Sequence, residues 1–234
     1  ILTPFLNRLD LEHDVGLGVL AADAKVEVVG HSLGGHLAQL FAVMFPLNAE
    51  HVLTYNGAGM GGITVHSAKL LASLIGIDAT LAGSNILNIV ADHGFDFTSG
   101  FGTVRGAVER VFNEFHELPI ANHYIAGLTD ALAMYNVFSA LDPAVDNRAI
   151  QAILDGSSAT PSSSLEQALD GLRRTLAIGT QPVQQTARED RNDYYANLLS
   201  LLDSIDTRGL AGAVSVVPLA QLLPGELQAR ALGD

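Results

Sequence analysis

The sequence predicts an α/β fold: a parallel sheet flanked by helices, followed by a mostly helical region. Three observations carry this. Short runs rich in valine, leucine and isoleucine alternate with segments of helical period up to Pro143, which is the pattern of strands and helices wound into a parallel sheet. Each of those runs stops at Gly, Asn or Asp, the residues that turn a chain. Beyond Pro143 the composition changes, with a small polar stretch followed by segments of helical period. The expected division is therefore a sheet-containing core over 1–143 and a helical region over 144–234.

The elements follow in order. Leu2, Phe5, Leu6 and Leu9 have helical spacing, and Val15, Leu17, Val19 and Leu20 follow after a break. Lys25-Val-Glu-Val-Val29 is β-branched and ends in Gly30, after which Leu33, Leu37, Leu40, Phe41 and Met44 recur at three and four until Pro46. That predicts a strand, a sharp turn and a helix. His51-Val-Leu-Thr-Tyr55 has strand length and runs into the glycine-rich Asn56-Gly-Ala-Gly-Met-Gly-Gly62, a loop. Val65 to Leu81 reads as helix and Asn85-Ile-Leu-Asn-Ile-Val90 as a third strand closing on Ala91-Asp92-His93-Gly94. Gly94 to Pro119 is looser, and Ile125 to Leu141 is again helical. The small polar stretch Gly156 to Ser164 looks like a linker, and Leu165–Leu176 and Tyr194–Ile205 read as amphipathic helices. Nothing in this second region suggests chemistry.

Composition narrows the function classes. The 234 residues are 48% hydrophobic, enough for a sizeable core. Against 12 basic residues stand 25 acidic ones, a formal charge of −13, which disfavours phosphate backbones and makes nucleic acid an unsuitable partner. With no cysteine there are no disulfides, no zinc thiolates and no thiol catalysis. The first residues lack both an initiator Met and the layout of a signal peptide, so the expectation is an internal part of a longer polypeptide.

The chemistry concentrates at Gly30-His31-Ser32-Leu33-Gly34, a G-x-S-x-G pattern set between a strand and a helix and followed by Gly35. In that context a tight turn holds the Ser32 hydroxyl out at the carboxyl edge of the sheet. Glycine is expected on both sides of the serine because a Cβ would strike the neighbouring backbone. The following helix aims its amino end at the reacting carbonyl, and the Leu33 N–H becomes an oxyanion donor. A nucleophilic serine needs a base and the base an orienting carboxylate, in the chain order Ser, Asp or Glu, His. Asp92 directly follows the third strand and is the leading acid, with Asp96 its rival. Among the histidines, position leaves His116 and His123, and His123 is preferred because Asn122-His123-Tyr124 is a loop running into an apolar helix. His31, Gly57 and Met60 are candidates for the substrate pocket. This chemistry calls for no metal and no cofactor.

The stretch Val26-Glu-Val-Val-Gly-His-Ser-Leu-Gly-Gly-His-Leu-Ala-Gln-Leu40 resembles the class 3 lipases, with His36 where a small residue is usual. Leu53-Thr-Tyr-Asn-Gly57 and Asn88-Ile-Val-Ala-Asp92 are similar to that family's next strand and to the strand leading to its catalytic aspartate. The resemblance implies an α/β-hydrolase-like sheet truncated at its amino end, with the earlier strands and a second oxyanion donor lying outside the chain. It implies Ser32 and Asp92 as catalytic residues and a lipid or small ester as substrate. Asn122 to Tyr135 and Arg191-Asn-Asp-Tyr-Tyr-Ala-Asn-Leu-Leu199 resemble segments of lipase-like domains in very large bacterial secreted proteins, which implies a secreted location. The face of Leu70, Leu71, Leu74 and Ile75 within Ala58 to Leu81 is expected to serve core packing first, with a lid opening at a lipid surface as its competing use. The competing reading of the whole is a non-catalytic α/β-hydrolase-like module of a large exported protein.

Overall fold

The computed structural model describes residues 23–60, 84–92, 104–114, 123–159, 161–177, 183–218 and 221. The segments expected as helix over 1–20 and 65–81 lie outside them. Strand β1 (Val26–His31) leads into helix α1 (Leu33–Met44), and β2 (Ala49–Tyr55), β3 (Ile86–Ala91) and β4 (Ala107–Val111) follow. The four strands hydrogen-bond in the order β1-β2-β3-β4. The β1–β2 and β2–β3 pairs are parallel. β4 runs in the same sense, since Gly106 lies against Ile86 at one end and the Val111 carbonyl accepts the Asp92 amide at the other. The α/β expectation thus holds as a four-stranded parallel sheet with flanking helices.

β4 falls inside the stretch read from sequence as loose. Ala107-Val-Glu-Arg-Val111 has one buried residue in five, so it lacks the apolar run that marks a sheet-interior strand. Its place is set by tertiary polar contacts instead: buried Asn88 donates through its amide to the carbonyls of Arg105 and Ala107 at 2.6 and 3.0 Å.

The described residues divide into two compact units. The first holds those up to Val90 together with 104–109. Its core is Ala38 and Ala42 of α1 packed on Ala49, Val52 and Ile86, with Val28 and Phe41 at the margin. Small residues on the helix let it lie close to the strands. α1 stops where Pro46 removes a donor and the Phe45 amide closes the last turn on the Phe41 carbonyl. The strand order puts β1 at one margin of the described sheet, and its Val29 is exposed.

The second unit holds 91–92, 110–114 and the described residues from 123 on. Helices α2 (Ile125–Leu141), α3 (Asn147–Gly156), α4 (Ser164–Thr175) and α5 (Arg191–Thr207) build it, with a 3-10 turn at Pro161–Ser163. Two helices read from sequence, at 165–176 and 194–205, are α4 and α5, extended slightly at their starts. α3 went unread, although Asp146 caps it by accepting the Ala149 amide at 2.7 Å and Ile150 and Leu154 are fully buried. Leu128, Met134, Phe138, Leu169 and Leu201 complete an apolar centre in which each side chain contributes roughly 1.5–3 kcal/mol.

Charged groups are buried in that centre as well. Arg191 of α5 binds Asp130 of α2 at 3.0 Å and also Glu166 of α4, and it lies over the Tyr194 ring. Tyr195 donates to the other Asp130 oxygen at 2.6 Å. Asp170 accepts the Thr186 amide and hydroxyl and pairs with Arg173. Glu114 accepts the Leu165 amide at 2.9 Å, and burial, reinforced by the Glu166 charge, pushes its carboxyl up to about 7 from 4.5. Burial likewise raises the Tyr194 hydroxyl.

The raised Glu114 value has a direct consequence for stability. From about 4.5 to about 7 the folded chain keeps a proton that the unfolded chain releases, so stability falls as pH rises through that window and the whole loss stands above it. Glu114→Gln preserves an oxygen to accept the Leu165 amide but cannot ionise. Urea unfolding across about pH 5 to 8 is expected to show a shallower decline for the variant, which should be the more stable protein by up to about 3 kcal/mol at the alkaline end. An unchanged slope would place the titrating group elsewhere.

Candidate active site

Ser32 joins β1 to α1, and its backbone is the most constrained point of the first unit. It sits at φ 56°, ψ −123°, a left-handed region that side-chain-bearing residues rarely enter. Such a conformation costs roughly 1–3 kcal/mol and persists only where the surroundings dictate it. Here they do. The Ser32 amide donates to the Tyr55 carbonyl at 3.1 Å, extending the β1–β2 ladder by one residue. Its carbonyl accepts the amides of Gly35 at 3.0 Å, His36 at 3.4 Å and Ala58 at 3.0 Å. The strand, the first turn of the helix and the loop after β2 therefore all grip one residue through the two peptide groups that flank it.

Two of the three neighbouring glycines are required by space. A Cβ on Gly30 would lie 2.2 Å from the Gly34 carbonyl oxygen, and one on Gly35 would lie 2.6 Å from the Gly57 Cα. Gly34 differs from the sequence expectation: a Cβ there meets nothing within 4 Å. The collision falls on Gly30 and Gly35, because those two face the inside of the bend while Gly34 faces out.

The remaining residues predicted for this part of the site take the following places. Leu33 opens α1, so its N–H is among those the helix itself leaves without a carbonyl, and its side chain is exposed. His31 ends β1, half-buried, in register with Tyr55. Gly57 is buried and packed against Thr54 and Gly35. Met60 is buried to 1% exposure. His36 turns its Nδ1 to the Gly59 carbonyl at 3.1 Å, and Gln39 donates to the Ala58 carbonyl at 3.3 Å, so both side chains hold the glycine-rich loop. Gln39 also accepts the Arg105 amide at 3.0 Å, and Thr54 donates to Asn88 at 2.6 Å. Sequence reading missed this buried polar framework. Its one signal is polar Thr54 and Asn88 set among Leu53, Tyr55, Leu87 and Ile89.

Asp92 and His123 belong to the second unit. Asp92 directly follows β3; its amide donates to the Val111 carbonyl at 2.9 Å, and its side chain is 28% exposed. One carboxylate oxygen accepts from Gln151 of α3, and the other lies 3.7 Å from Arg110. His123 is half-buried in the turn just before α2. The alternatives Asp96 and His116 lie outside the described residues, as does the lid face at 70–75. Among the described residues, no three His, Cys, Asp or Glu side chains gather as metal ligands, and no helix is long and apolar enough to cross a membrane.

No family model matches the chain, and no curated protein matches its sequence.

The geometry around Ser32 gives a clear expectation for three variants. Ser32→Gly relieves the left-handed strain and should stabilise the fold by about 1 kcal/mol, net of the entropy glycine loses. Gly30→Ala should destabilise it by about 2 kcal/mol or more through overpacking. Gly34→Ala should be neutral or slightly stabilising, by up to about 1 kcal/mol, since it improves helix propensity in open space. Chemical denaturation of the three proteins checks the order, and a Gly30→Ala protein as stable as Gly34→Ala would show that the bend is not as tight as drawn.

Proposed function

We propose that the chain is a serine ester hydrolase acting on lipid or small acyl esters, with Ser32 as nucleophile. The observation that carries this reading is the left-handed backbone of Ser32 at a strand-to-helix bend: a strained conformation at a residue with a nucleophilic hydroxyl, held by its surroundings at measurable cost, is the kind of strain that serves chemistry. The amino end of α1 adds a favourable field for a developing oxyanion, and the Leu33 amide is positioned in sequence to donate to it.

In this reading His123 takes the Ser32 proton as the hydroxyl oxygen attacks the acyl carbon, and returns it to the departing alkoxide, leaving an acyl-enzyme. Water then attacks the acyl carbon as His123 accepts its proton, the acyl carbon–Oγ bond breaks, and His123 gives that proton to the departing Ser32 Oγ, so that the acid is released and the free serine restored. Asp92 fixes the imidazole tautomer and steadies its cation. The acyl group's apolar character follows from the resemblance of the elbow to lipases.

A fluorophosphonate probe offers the direct test. Incubated with the full chain, it should attach covalently to Ser32, as read by peptide mass spectrometry, and Ser32→Ala should abolish both labelling and hydrolysis of aryl acyl esters, a loss of at least about a thousandfold. Folded protein that takes up no label and cleaves none of a panel of short- and long-chain esters would favour the non-catalytic module.

A further inference from the structure

We infer that Gln151 is the positioning residue for the Asp92 carboxylate, so that the helical region contributes directly to catalysis. The inference rests on the Ser32–His123–Asp92 reading above and extends it to a residue outside the triad.

The main chain at Asp92 is already fixed by the hydrogen bond its N–H donates to the Val111 carbonyl, which leaves the side-chain torsions to be set. Gln151 removes that freedom by donating its amide N–H to one carboxylate oxygen. The donor stands on rigid ground. Its neighbours Ile150 and Leu154 are 0% exposed, and Asp146 caps the first turn of α3. The second oxygen faces Arg110, but at 3.7 Å and with a guanidinium side chain 62% exposed, that contact is a screened charge interaction rather than a hydrogen bond. One oxygen is thus held and the other is left with acceptor capacity.

The chemistry of the donor matters. A triad acid must remain an anion with its charge available to the imidazole. A lysine or arginine at 151 would hold the carboxylate but neutralise it as an ion pair. A neutral amide orients it and leaves its charge intact. Two residues 59 positions apart are joined here by the only features that such a role needs: a donor, a fixed stem and no charge.

The test compares the full chain with Gln151→Met, which keeps the stem and loses the donor, and Gln151→Glu, which sets a second carboxyl against Asp92. On an aryl acyl ester, Gln151→Met should lose roughly ten- to a hundredfold in kcat with little change in KM, as expected when a catalytic group is misplaced by a fraction of an ångström. The same substitution in an Asp92→Asn background should have almost no further effect. Gln151→Glu should add a new ionisation to the pH profile of kcat/KM, because two touching carboxyls do not both ionise freely, and Asp92→Asn should remove it. A folded Gln151→Met protein with wild-type kcat, together with an unaltered Gln151→Glu profile, would reduce Gln151 to a packing tie while leaving the Ser32 reading in place. Wild-type protein that neither labels at Ser32 nor cleaves esters would overturn the reading itself and the role of Gln151 with it.

Discussion

The first unit depends on the two peptide groups that flank Ser32. Three amides converge on its carbonyl, and its own amide continues the sheet ladder, so the chain has no low-energy way to straighten at this point. The close approach of α1 to β1, permitted by Gly30, and of the glycine-rich loop to α1, permitted by Gly35 and Gly57, both follow from that bend. Behind it, Thr54 and Asn88 satisfy one another, and Gln39 and Asn88 satisfy nearby backbone, in place of a continuous apolar layer. Buried polar groups of this kind are worth little as net stabilisation but are expensive to leave unmatched, so they favour a single arrangement over many similar ones.

The second unit is organised by a different balance. Its apolar helices supply most of the burial, while Arg191 ties α2, α4 and α5 through Asp130 and Glu166. A single guanidinium thereby orients three helices, a task that apolar contacts, being non-directional, perform poorly. Glu114 enters the same neighbourhood at a cost in burial that grows as it ionises.

Much of this was legible in the residues. β1, α1, β2, β3 and α2 lie where alternation, periodicity and the stops at Gly, Asn and Pro place them, because those signals are local. β4 was not legible, since Ala107-Val-Glu-Arg-Val111 owes its conformation to Asn88 and not to its own pattern. α3 was legible in principle, from Asp146 as cap and Ala149, Ile150, Ile153 and Leu154 at three and four spacing, but it is short and lies between Pro143 and a run of small polar residues that read as loop. At the site, the bend at Ser32 could be read from Gly-x-Ser-x-Gly in its strand-to-helix context, whereas the partners of Asp92 could not. Gln151 and Arg110 reach it across 59 and 18 positions of chain, and no short-range pattern records such a meeting.

The contact between Asp92 and Gln151 also sets where the polypeptide can be divided. A cut after Pro143 would follow the compositional change and retain every described strand, yet it would strip α2 of the helices that pack against it and deprive the Asp92 carboxylate of its Gln151 donor. The smallest piece that keeps each described side chain in its present company extends beyond Thr207, to the stretch in which the Val216 amide is tied to Asp142. What looks like an appendage from its composition is tied by hydrogen bonding to the residue at the end of β3.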